Sequence, residues 1–253
     1  MKHISIFAVL LLTLLTTSAL ANGSDELLDK VVRGLEYQFR PNAAPGTSIE
    51  DLQADFLQQA YLGSLDRVEE GQGRVAVRFD RSGKQLQPRF RWEYQLPSVQ
   101  QIISDGRTVW VYLPENQQVI ESPLPDENSE GVEDPLAFLT GLGQMSKRFT
   151  VTWASPALDA QGNYRLLLKP RKPSAIIERL ELVIDRAVVA YASPAQRLVY
   201  PVRIATVFGP NESRTTITFR NVRINQGLKD SFFDFTVPEG IEVLRPDQQQ
   251  FGF

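Results

Sequence analysis

The sequence predicts a mostly β protein, either an antiparallel barrel or a strongly curved sheet. Three observations carry this. Arg91-Trp92-Glu93-Tyr94-Gln95-Leu96-Pro97 and Thr108-Val109-Trp110-Val111-Tyr112 are rich in β-branched and aromatic residues. The second run follows Asp105-Gly106, a tight-turn pair and a strong hairpin signal. Short period-2 runs bounded by turn residues continue to Ile224, the spacing of many-stranded antiparallel folds.

In chain order, Lys2 and His3 form a short basic start, Ile4 to Leu15 is apolar, and Ala19-Leu20-Ala21 is a small-residue cleavage site. This pattern predicts a cleavable secretory signal peptide over residues 1–21 and one domain over residues 22–253. The apolar run is too short for a comfortable membrane span. Ser24 can cap a helix that begins Asp25-Glu26, where both acids favour the positive end of the helix dipole. Leu28, Val31, Leu35 and Phe39 give that helix one apolar stripe. Pro41 to Ser48 breaks it. Leu52, Ala54 and Phe56 alternate with Gln53, Asp55 and Leu57 as in a strand, although Leu52 and Phe56 also fit a helix face.

Strand patterns follow. Val75, Val77 and Phe79 alternate with Arg74, Ala76 and Arg78; Ser82-Gly83-Lys84 turns the chain; Phe90, Trp92 and Tyr94 alternate with Arg89, Arg91 and Glu93. Gln100–Ser104, Thr108–Tyr112 and Gln117–Glu121 read as a meander. Trp110 and Tyr112 share one face and Val109 and Val111 the other, and both faces are apolar. After a polar stretch, Asp134-Pro135 starts a short helix, with Asp as cap and Pro at its first position. Leu136, Phe138, Leu139 and Leu142 give it an apolar side before Gly141 and Gly143 end it, so it can cover an open barrel end. Further strands are expected at Phe149–Trp153, Tyr164–Lys169, Ile176–Ile184, Val188–Ala192, Tyr200–Phe208 and Thr215–Ile224.

Composition excludes much chemistry. The chain of 253 residues has no Cys, and its one His, His3, leaves with the signal peptide. That removes a Cys nucleophile, a Ser-His-Asp triad and an ordinary zinc site. It also leaves no Cys to be lipidated after cleavage. The net charge of −3 does not suit nucleic acid, which selects a basic stripe. Gly71-Gln72-Gly73 is a lone G-x-G without a phosphate-loop continuation. No catalytic residue, cofactor or metal is expected.

The wording is more specific than the pattern. Phe56-Leu57-Gln58, Glu70-Gly71-Gln72-Gly73, Phe90-Arg91-Trp92, the stretch Ser104 to Pro114, Asp134-Pro135-Leu136, Ile184-Asp185, Ile217-Thr218-Phe219, Asn225, Phe233-Asp234-Phe235 and Pro238-Glu239-Gly240-Ile241 occur in this order. Together they resemble the LolA-type periplasmic outer-membrane lipoprotein carriers across most of the mature chain. The resemblance implies an incomplete antiparallel β-barrel with a lid of short α-helices over its mouth. It implies a chaperone, not an enzyme, that binds acylated lipoproteins in the periplasm, and a single transported cargo suits a monomer. An inner-membrane ATP-driven transporter would supply the cargo and an outer-membrane acceptor would receive it. Phe56, Phe90 and Trp92 would line the cavity, and Leu136, Phe138 and Leu139 would form the underside of the lid. Members place an Arg shortly before the F-x-W segment as a lid tether; here Arg89 and Arg91 flank Phe90, after an inserted turn at Arg81 to Gln87. The same barrel could carry a free lipid or glycolipid, or act as a sensor of lipoproteins.

Overall fold

The computed structural model describes residues 24–40, 46–80, 87–124, 141–192 and 198–245. Twelve strands form one sheet: β1 (Asp51–Leu62), β2 (Arg67–Asp80), β3 (Gln87–Leu96), β4 (Gln100–Ser104), β5 (Thr108–Leu113), β6 (Gln118–Pro123), β7 (Phe149–Leu158), β8 (Tyr164–Pro170), β9 (Arg179–Ile184), β10 (Val202–Phe208), β11 (Arg214–Ile224) and β12 (Glu242–Leu244). Their order is β12-β6-β5-β4-β3-β2-β1-β11-β10-β9-β8-β7. Every neighbouring pair is antiparallel except β12 on β6. The sheet is open and curled. Two meanders, β2 to β6 and β7 to β11, meet where β1 pairs with β11, with Phe56 opposite Phe219.

The segment whose periodicity fits two structures is strand β1, with Leu52, Ala54 and Phe56 on the buried side. The Asp105-Gly106 turn forms as its chemistry dictates. The Asp105 carboxylate accepts the N–H groups of Arg107 and Thr108, each at 2.8 Å, while Gly106 takes φ +91°. Gly73 fits a different constraint. A Cβ there would lie 2.0 Å from the Glu93 carbonyl oxygen, so β2 and β3 approach too closely for any side chain at this register shift.

Helix α1 (24–38) lies on the concave face. Val31, Leu35 and Phe39 are buried in one core with Leu52, Phe79, Val188 and Tyr200. Its outer side carries the i,i+4 pairs Glu26–Lys30 and Asp29–Arg33. Gly34 lets the helix touch the chain at Val188, whose carbonyl oxygen would sit 2.4 Å from an added Cβ.

One expected strand is corrected: 188–192 belongs to a 3₁₀ helix, Arg186–Ala192. Asp185 accounts for this. Its carboxylate accepts the Ala187 N–H at 2.8 Å and its carbonyl accepts the Val188 N–H at 3.0 Å, closing a turn that overrides the β preference of Val188-Val189. The expected signal peptide (1–21), the turn at 82–84, the helix start at Asp134-Pro135 and the last residues of the chain lie outside the described residues.

Candidate functional site: an aromatic interior under helix α1

Alternation along β1, β3 and β11 sends Phe56, Phe90, Trp92 and Phe219 to the concave side, and all four are buried. Phe56 packs edge-on against Trp92 (centroids 4.8 Å apart) and Tyr94 (4.9 Å). Trp92 stands 6.5 Å from Phe219, which is 5.8 Å from Tyr200. Tyr200 meets Phe39, the residue that follows α1, at 6.3 Å, and Phe39 meets Phe79 at 5.3 Å. The result is a continuous line of rings across the sheet, closed at one end by the helix. Such contacts add about 0.5–1.5 kcal/mol per pair beyond the area they bury. At the other end the line becomes polar, where the half-buried Tyr94 hydroxyl donates to Gln58 Oε1 at 2.8 Å.

The structure therefore brings the predicted lining residues Phe56, Phe90 and Trp92 into one apolar interior. Leu136, Phe138 and Leu139 lie outside the described residues. The end of their segment does not: Leu142 is buried in the same core, and Gly143 abuts the end of α1, where an added Cβ would lie 2.5 Å from the Phe39 carbonyl oxygen. Phe39, Tyr94, Tyr200 and Phe219 were not among the predicted site residues. Phe39 stood in the helical stripe and Phe219 in a period-2 run, and both signals were present.

Arg89 and Arg91 project from the face opposite Phe90 and Trp92. Arg89 reaches Asp230 at 3.4 Å, and Arg78 pairs with the same carboxylate. Arg91 pairs with Glu93 at 2.7 Å, donates to the Phe232 carbonyl at 3.4 Å and lies over the Phe232 ring. Among the described residues, both arginines hold the 3₁₀ turn Asp230–Phe233 against the convex face.

That turn belongs to a C-terminal strap. Phe235 packs on Trp110 and Tyr112 at 5.9 and 5.8 Å, and Phe233, Ile103 and Val119 are fully buried. So Trp110 and Tyr112 face the strap, while Val109 and Ile102 pack against the main core. The strap ends as β12, fixed by Arg245, whose guanidinium donates to Glu121 Oε1 at 3.0 Å. The Arg245 hydrogen bond and charge hold the Glu121 carboxyl below the usual carboxylate range, against a smaller opposing effect of burial. A depressed carboxyl stabilises above its unfolded pKa of about 4.3, and this is lost as pH falls through the lower folded value. Amide exchange at Val243 and Leu244, corrected for intrinsic chemistry, should therefore accelerate on acidification. Arg245→Ala should abolish that acid step.

No group of His, Cys, Asp or Glu among the described residues could hold a metal. No described helix is long and apolar enough to cross a membrane. An open cleft of about 480 Å³ lies on the convex face, where Arg179 stacks on Phe208 and Arg214 lies over Tyr61. Its charged walls do not suit an apolar guest.

Comparison with known proteins decides the family. The family profile "Outer membrane lipoprotein carrier protein LolA" matches residues 47–236. The chain belongs to the LolA family. Among curated LolA relatives, the outer-membrane lipoprotein carrier protein of Azotobacter vinelandii is 29% identical over 197 residues, 78% of this chain and 82% of the relative. That of Bordetella avium is 28% identical over 238 residues, 94% of this chain and 95% of the relative. A solved LolA superfamily protein from Nitrosomonas europaea aligns with a TM-score of 0.37 and 11% identity, over 84% of this chain and 97% of that one. LolA proteins are carriers, and this chain is a LolA-like carrier rather than an enzyme.

Proposed function

We propose that the protein is a periplasmic chaperone for lipoproteins. It takes acyl chains released from the inner membrane by an ATP-driven transporter and delivers them, as a monomer, to an outer-membrane acceptor. Residues 1–21 are its export signal in this reading. Phe56, Phe90 and Trp92 line the acyl path, and Leu136, Phe138 and Leu139 belong to the segment that covers it. The observation that carries the reading is the line of rings from Tyr94 to Phe79, closed by a separate helix and free of charge.

The physics suits transfer. Burying an acyl chain stabilises by roughly 0.8 kcal/mol per methylene, so cargo will not remain in water. An empty apolar cavity would also be costly, and here the rings pack on one another and on α1 instead. Loading then exchanges one set of apolar contacts for another. The net affinity is moderated, and release to a stronger acceptor stays downhill.

Spheroplasts carrying newly made triacylated lipoprotein test the loading step. Added protein should release the lipoprotein into the supernatant as a soluble complex, dependent on ATP. Lipoprotein that stays with the membrane at every protein concentration contradicts the proposal.

A further inference from the structure

Among the described residues, two buried side-chain polar atoms have no hydrogen-bond partner: Tyr200 Oη and Gln38 Oε1. Tyr200 is 6% exposed and Gln38 is fully buried. A buried hydroxyl without a partner is expensive, and the few that persist in folded proteins call for an explanation. The burial of Tyr200 also pushes its phenol pKa up, so the hydroxyl stays protonated and remains a donor.

Position supplies the explanation. Tyr200 stands between the helix and the sheet, edge-on to Phe39 at the end of α1 on one side and to Phe219 of β11 on the other. Gln38, the last residue of α1, continues the buried stripe of Val31 and Leu35 and precedes Phe39. Any guest that enters the aromatic line by displacing α1 removes Phe39 from Tyr200. Tyr200 then loses one of the two aromatic neighbours that bury it, beside the path lined by Phe219, Trp92 and Phe56.

We infer that Tyr200 is a specificity residue: its hydroxyl donates to an ester carbonyl of an acylglyceryl group held in the interior. This rests on the lipid-carrier reading above and adds the feature of the lipid that is read. An alkyl chain offers the hydroxyl nothing, and an ether oxygen is a poorer acceptor than a carbonyl. An ester-linked acyl chain brings an acceptor into the path together with its methylenes. In the closed state the unsatisfied hydroxyl costs stability, and in the loaded state it gains a partner. The contribution appears only on binding.

The test uses the mature protein, its Tyr200→Phe variant, and two synthetic lipopeptides that differ only in ester or ether linkage of two C16 chains to the glyceryl group. Wild type should bind the ester form several-fold more tightly, roughly three- to tenfold for one neutral hydrogen bond. Tyr200→Phe should bind both forms as wild type binds the ether. Its melting temperature should be unchanged or higher by a few degrees, about 2–4 °C, as a buried unsatisfied group is removed. Equal affinity of wild type for the two forms overturns the inference while leaving lipid carriage intact. So does an ester preference that survives in Tyr200→Phe. A lower melting temperature for the variant overturns it as well, since the hydroxyl would then be satisfied in the closed state. If wild type binds neither lipopeptide, the carrier reading fails, and the inference fails with it.

Discussion

Trp92→Ala should lower unfolding stability by about 3–5 kcal/mol, the usual cost of removing a large buried aromatic side chain. Trp92 is 1% exposed and touches both Phe56 and Phe219, so its loss leaves a void that the rigid strands cannot collapse. At roughly 2–4 °C per kcal/mol for a chain of this size, the melting temperature should fall by about 10 °C. Arg91→Ala, one residue away on the opposite face, should cost less than about 1 kcal/mol, because its ion pair with Glu93 is partly solvated. Thermal melts of the two variants check both values. A Trp92→Ala cost below about 1 kcal/mol would mean that the interior is an open cavity, not a packed core that opens for cargo.

Asp51→Ala should be nearly as damaging, at about 2–4 kcal/mol, for a polar reason. The Asp51 side chain is buried and accepts backbone N–H groups from Gln226 (2.7 Å), Gly227 (2.8 Å) and Leu228 (3.0 Å). Asn225 reinforces the site: its side chain donates to the Ser48 carbonyl at 3.0 Å and accepts the Glu50 N–H at 2.8 Å. Asn225 and Gly227 both take positive φ, 54° and 73°, so the chain is folded tightly around the carboxylate. Without it, three N–H groups lose their acceptor at the point where the C-terminal strap leaves the sheet. Amide exchange should accelerate from Gln226 through Leu244, with Phe233 and Val243 as reporters. Asp51→Asn keeps one carbonyl oxygen and should lie between the two. A melting temperature for Asp51→Ala within about 1 °C of wild type would show that the strap is held elsewhere.

The strand framework was legible because its signals are local. Asp105-Gly106 makes its turn from its own side-chain and backbone chemistry. The parity of Phe90 and Trp92 against Arg89 and Arg91 is readable because only one face of β3 packs in the main core. On β5, the run Val109-Trp110-Val111-Tyr112 gave no direction, since the core covers one face and Phe235 the other, and alternation disappears when both faces are covered. The first four residues of β2, Arg67-Val68-Glu69-Glu70, carry no alternation to read because they are exposed on both faces and form strand only by pairing with β1. β12 is three residues long and depends on a parallel partner 124 positions away, Gln118 opposite Glu242.

The candidate site divides in the same way. Phe56, Phe90 and Trp92 could be chosen because they lie in aromatic, alternating segments. Tyr200 and Gln38 could not, since a polar atom buried in the core without a hydrogen-bond partner breaks the rule that sequence reading applies. Nor could sequence show that Phe39, 180 residues from Phe219, joins the same line of rings through Tyr200.

The central claim is that this interior carries the acyl chains of a lipoprotein. Native mass spectrometry of the protein, purified from a periplasm that produces a triacylated lipoprotein, tests it most directly. The account predicts a one-to-one complex that disappears when the acylated Cys of the cargo is replaced. A bound phospholipid or glycolipid with no lipoprotein, or a protein that stays empty in both strains, would contradict it.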